Sequence, residues 1–82
     1  MDQARIRYPC WWTYALIGPD EESIRLAIGA VTRGTEHRVQ FSKESSHRKY
    51  VSLHVEVWVS SEEHRNTLFR AFKSDPAVKM VL

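Results

Sequence analysis

The side chains in this chain able to do chemistry are few, and their spacing is poor for it. His54 and Glu56 stand two residues apart, which puts both on one face of a strand. Both are metal-ligand types, but a zinc site takes three or four ligands, and neither His37 nor His64 converges on them by sequence. Paired polar residues on a solvated strand are the plainer reading, so no metal site is expected. Cys10 is the single cysteine. A thiol becomes a nucleophile only where a base or cation favours its thiolate, and no base is placed beside it. It reads as a structural cysteine, buried or on an edge strand. Ser, His and Asp occur without the spacing of a nucleophile elbow, and three scattered glycines form neither G-x-G-x-x-G nor a P-loop. No catalytic residue, cofactor or enzymatic activity is expected.

Composition narrows the frame. At 82 residues there is room for one domain only. A chain of this size buries roughly 60–65% of its unfolded surface, enough for a modest core. Hydrophobic and charged contents of 43% and 27% are those of an ordinary globular protein. A net charge of +2 is too weak to argue nucleic-acid binding by itself. The longest apolar run, Ala15-Leu16-Ile17, is far short of a membrane span. No charged leader with an apolar stretch behind it opens the chain, and a lone cysteine fits a reducing compartment. A cytoplasmic location without membrane contact is therefore expected.

The elements follow from punctuation and periodicity. Residues 1–7 read as a flexible tail, ahead of a single domain over 8–82. Pro9 fits the start of a strand, and aromatic and β-branched residues from Cys10 to Ile17 favour that strand, β1. Gly18-Pro19-Asp20 breaks it. Glu21 and Glu22 suit a first helical turn, and Ile24, Ala27, Ile28 and Val31 make one apolar face. Arg33-Gly34 is a stop signal, so α1 spans about Asp20 to Arg33. His37 to Lys43 alternates as a half-buried strand, β2, and 45–49 forms a polar hairpin loop. Every second residue from Val51 to Val59 is aliphatic, which predicts a long strand with one face in the core, β3. Ser60-Ser61-Glu62-Glu63 has capping-box spacing with Ser60 as N-cap. It opens α2, whose buried side holds Leu68, Phe69 and Phe72 and the stem of Arg65, and which ends at Lys73-Ser74-Asp75-Pro76. Val78 to Leu82 is a last strand, β4.

The order β-α-β-β-α-β in this length points to an α+β, ferredoxin-like sandwich. It has a four-stranded antiparallel sheet of order 4-1-3-2, with both helices on one face. Facing then becomes decidable. With the aliphatic set of β3 turned to the helices, Tyr50, Ser52, His54, Glu56 and Trp58 stand on the open face. The adjacent Trp11 and Trp12 must point opposite ways. Placing Trp12, Tyr14 and Leu16 inward leaves the smaller Thr13 and Ala15 outside, and is preferred; a one-residue bulge would reverse it. Trp11 then joins Arg38, Gln40, Tyr50, His54 and Trp58 on an uncovered face.

That face supports two kinds of function. Aromatics and arginine are enriched at protein interfaces, so a protein partner or a second copy of the chain is one reading. RNA-recognition modules of the same topology stack bases on aromatics of the central strands, with Lys43, Arg48 and Lys49 here as phosphate contacts. Nucleic acid is disfavoured without being excluded, because the RNP1 pattern is absent and Glu56 stands in the middle of the platform.

Pro9, Trp12-Thr13-Tyr14, Gly18 at the end of β1, the alternating β3, the S-x-x-E helix start and the ending Lys79-Met80-Val81-Leu82 together resemble the YbeD-like proteins. These are small bacterial cytoplasmic proteins without an assigned biochemical function. The Tyr8-Pro9-Cys10-Xaa-Trp12 start is most similar to their epsilonproteobacterial branch. The resemblance spans Tyr8 onward and implies a fold similar to ACT regulatory domains, hence a regulatory role through ligand or protein binding. In ACT domains effectors bind near the β1–α1 turn, here Gly18, Pro19 and Asp20. Only Gly18 matches the usual pattern, and Pro19 lacks an amide, so a plain strand-to-helix turn is the competing reading. A small-molecule effector is left open.

Overall fold

Hydrophobic spacing organises the described residues into six elements. A computed structural model of the protein describes residues 6–44 and 50–82. The elements are β1 (Cys10–Gly18), α1 (Glu21–Val31), β2 (His37–Glu44), β3 (Val51–Val59), α2 (Glu62–Ser74) and β4 (Met80–Val81). They form one antiparallel sheet of order β2-β3-β1-β4, the expected order read from the opposite edge, with both helices packed on one face. The expected hairpin loop at 45–49 and the first five residues of the expected tail lie outside the described residues. Ile6 and Arg7 are exposed and carry no regular structure.

Alternation on β3 places Leu53, Val55, Val57 and Val59 in the core with no exposed surface, because every second side chain points at the helices. Their partners are Tyr14 and Leu16 from β1, Ile24, Ala27 and Ile28 from α1, Leu68 and Phe72 from α2, and Val78. Nine consecutive pairs join β1 to β3, from Cys10 opposite Val59 to Gly18 opposite Val51. No bulge interrupts β1, so Trp12, Tyr14 and Leu16 face inward and Trp11 outward, as expected. The irregularity falls instead on β2, between Phe41 and Lys43. Tyr14 ties sheet to helix: its hydroxyl donates to the Arg65 carbonyl at 2.7 Å, and its ring centroid lies 5.3 Å from that of Phe72.

Helix ends depart from the expectation in instructive ways. Asp20 caps α1, its carboxylate accepting from the Ser23 hydroxyl at 2.7 Å and the Ser23 amide at 2.9 Å. These bonds, the hydroxyl's first, hold the Asp20 carboxyl below its ordinary range. The helix closes at Val31 rather than Arg33, with Thr32 as C-cap and Gly34 turning the chain at φ +79°. Thr32 is fully buried; its hydroxyl donates to the Ile28 carbonyl at 2.6 Å, which lets a polar group enter the core. The N-cap of α2 is Ser61, not Ser60. Ser61 Oγ accepts from the His64 amide at 3.0 Å, and His64 Nδ1 accepts from the Ser60 amide at 3.0 Å. The serine half of the box is present one residue later, while the return bond comes from a histidine in place of glutamate and goes to the Ser60 amide, one residue before the cap. Phe69, expected inside, is exposed, since it lies about 100° around the helix from Leu68 and overhangs the edge of the sheet. β4 is shorter than Val78 to Leu82, although Val78 itself is buried.

Candidate functional site: the uncovered sheet face

Helices cover one face of the sheet, and the other is built from the outward residues of β1, β2 and β3. Two registers acting together decide its composition. β1 against β3 sets Trp11 opposite Trp58, Thr13 opposite Glu56 and Ala15 opposite His54. β2 against β3 sets Arg38 opposite Glu56 and Gln40 opposite His54. Rows of side chains therefore cross the three strands.

At one end Trp11 and Trp58 meet edge to face, with centroids 5.3 Å apart and planes at 62°. Such a pair contributes roughly 0.5–1.5 kcal/mol beyond its buried area. The Arg38 guanidinium lies 4.1 Å over the Trp11 ring, and its Nε is 3.3 Å from a Glu56 carboxylate oxygen. Arg38 thus joins an aromatic pair to a carboxylate across three strands. Both members of the ion pair are well exposed, so its stabilising effect is small; its consequence is that Arg38 is held over Trp11. Trp11 is half-buried by this packing, whereas Trp58 keeps 38% of its surface exposed. Beside them Arg38, Val39, Gln40, His54 and Glu56 line a shallow depression of about 470 Å³.

Of the six residues expected on this face, Trp11, Arg38, Gln40, His54 and Trp58 lie together. Tyr50 does not. Eight residues before Trp58 and just ahead of the start of β3, it stands about 26 Å away at ~3.3 Å per residue. There it borders a separate hollow of about 300 Å³ with Ile17, Lys79 and Met80. His54 and Glu56 share the face, but among the described residues no three metal-ligand side chains gather. The Lys43 side chain, Arg48 and Lys49, expected as phosphate contacts, lie outside the described part of the structure.

The β1–α1 turn is engaged by the chain's own contacts. Gly18 is buried, and a Cβ there would overlap the Ala77 carbonyl and press on the Ile24 side chain. Asp20 is committed to Ser23. Cys10 is a free, half-buried cysteine packed against the core. A contact missed by sequence reasoning is Arg65, whose guanidinium lies 4.3 Å over the Trp12 ring. Its only sequence signal is an arginine one helical turn before Leu68.

Comparisons with known proteins agree with this architecture. The family described as "Protein of unknown function (DUF493)" matches residues 3–82. An uncharacterised protein of Helicobacter pylori is 31% identical over 65 residues, covering 79% of this chain and 76% of its own length. A UPF0250 protein of Hahella chejuensis is 30% identical over 84 residues, covering 95% of this chain and 90% of its own. Two solution structures of the Helicobacter pylori protein HP0495 share the fold. One has a TM-score of 0.83 at 24% identity, covering 98% of this chain and 88% of the other. The second has a TM-score of 0.68 at 27% identity, covering 100% and 95%. The chain belongs to the DUF493 (UPF0250, YbeD-like) family of proteins of unknown function.

Proposed function

We propose that this protein is a non-enzymatic regulatory module that binds another protein through the uncovered sheet face. The observation that supports this reading is the Trp58–Trp11–Arg38 cluster. An exposed tryptophan is held by a second ring and a guanidinium on a rigid sheet, and Trp and Arg are the residue types that dominate binding energy at protein interfaces. Preorganisation of this kind lowers the entropy lost on association. Protein is favoured over single-stranded nucleic acid by the same geometry. Arg38 already occupies a face of Trp11 where a base would stack, and the Glu56 carboxylate beside it opposes phosphate.

Replacing Trp58 or Trp11 by alanine tests the reading, with circular dichroism to verify the fold. The expected outcome is a folded protein that loses partner contacts or self-association present in wild type, measured by sedimentation and affinity purification. Variants with an unchanged assembly state and interaction profile refute it. Titration with short RNA at two salt concentrations separates the nucleic-acid reading, because phosphate contacts impose a steep salt dependence.

A further inference from the structure

α2 packs on β4, and the seam between them is apolar at its floor and cationic at its rim. A hollow of about 220 Å³ is lined there by Phe69 and Lys73 of α2 and by Val78, Lys79, Met80 and Val81. Val78 is buried and Val81 half-buried, whereas Phe69 and Met80 leave 37% and 52% of their surface exposed. Phe69 is left out because it lies about 100° around α2 from the buried Leu68. The Lys73 ammonium stands 5.8 Å from the Phe69 ring centroid. Lys79 is exposed beside it, its amide donating to the Ile17 carbonyl at 2.7 Å.

Charge at this seam is one-sided. Among the described residues, neither lysine has a carboxylate within ion-pair distance; the ion pairs there belong to Arg25 and Arg38. Asp75, the carboxylate at the same end of α2, accepts from the Ala77 amide at 2.9 Å and so serves its own turn. Glu62 and Glu63 stand in the first turn of α2, about 15 Å from Lys73 at ~1.5 Å per residue. We infer that the seam docks an acidic amphipathic segment of a partner protein. The segment places an apolar side chain in the hollow between Phe69 and Met80, and carboxylates against Lys73 and Lys79. The lysine stems extend the apolar wall while their ammonium groups meet the acidic residues. Charge argues against a second copy as occupant, since two-fold contact of the seam with itself brings four lysines together. This surface is separate from the Trp58 cluster and does not depend on the function proposed for it.

A fluorescein-labelled, end-capped peptide with the core Glu-Asp-Leu-Phe-Glu-Asp serves as probe in anisotropy titrations, beside a counterpart with lysine at the four acidic positions. Wild type is expected to bind the acidic peptide about tenfold more tightly than the basic one. Lys73→Glu and Lys79→Glu are each expected to weaken that binding about fivefold. Arg33→Glu makes the same change of net charge at the other end of the sheet, where β2 begins opposite Val57, and is expected to alter it by less than about twofold. Met80→Ser is expected to weaken binding about threefold. Should that variant fail to fold, serine in place of the peptide's Leu and Phe empties the hollow without touching the protein, and is expected to weaken binding about tenfold. Backbone amide shifts on adding the peptide are expected at 69–73 and 78–81. Absence of binding, affinity indifferent to the peptide's apolar residues, equal effects of Lys73→Glu and Arg33→Glu, or shifts confined to the Trp11–Trp58 end would each overturn the inference. Preference for phosphatidylserine vesicles over the peptide would overturn it as well, marking a patch that faces lipid.

Discussion

Tyr14 offers a sharp test of how the sheet and α2 are joined. It is 2% exposed, and its hydroxyl donates to the Arg65 carbonyl. Burial pushes its phenol from the ordinary 10.0 up to about 12, with the Arg65 charge pulling the other way and Tyr8 adding a smaller push upward. Tyr14→Phe keeps the ring against Phe72 and removes only the hydroxyl. At about pH 8 the phenol is neutral in both folded and unfolded chains, and the variant loses ~1 kcal/mol for the missing bond. At higher pH the sign reverses. The folded pKa lies above the unfolded one, so the unfolded chain ionises first. The stability held by neutral Tyr14 is whole below about pH 10 and is lost as the pH rises toward 12. One pH unit of this window corresponds to ~1.4 kcal/mol, so at about pH 11 wild type has lost its advantage over the variant. Urea denaturation of both proteins, followed by circular dichroism at about pH 8, 10 and 11, is expected to give stability curves that cross near pH 11. A difference between the two proteins that stays constant over this range would refute the buried, hydrogen-bonded phenol.

Two further outcomes concern the backbone. Gly18→Ala is expected to cost about 1–3 kcal/mol, because a Cβ collides with the Ala77 carbonyl and the backbone must move. Gly29→Ala, on an exposed turn of α1 with nothing near the added carbon, is expected to gain up to about 1 kcal/mol; urea midpoints distinguish the two signs. Ser61→Ala is expected to cost ~1 kcal/mol by loss of the α2 cap, whereas Ser60→Ala leaves the amide bond to His64 in place and changes stability little. Equal midpoints for the two serine variants would contradict the assigned cap.

Why some features were legible and others not follows from particular residues. The alternation from Val51 to Val59 admits a single facing on a sheet covered on one side, and the six elements and their order follow from similar local patterns. The α2 cap was not legible, because Ser60 and Ser61 each stand three residues before a side chain able to reach back, Glu63 or His64. Only the reach of β3 through Val59, paired with Cys10, selects the second frame. Leu68, Phe69 and Phe72 all read as apolar, but the sheet surface under α2 accommodates the first and last and leaves Phe69 overhanging. Thr32 is polar by type, and burial is allowed because its hydroxyl is satisfied by the preceding turn, a contact no spacing announces. In the candidate site, the outward set was legible from period two alone, while the separation of Tyr50 from Trp58 is a matter of distance along one strand.

Sequence alone determines what repeats locally: the strands and helices, the inward stripe of β3 and the opposed directions of Trp11 and Trp12. Tertiary structure decides what touches what across strands. Arg38 lies over Trp11 only because β2 and β1 are both registered on β3, and no local pattern carries two registers at once. Side-chain direction is a property of single strands, whereas contact is a property of their pairing.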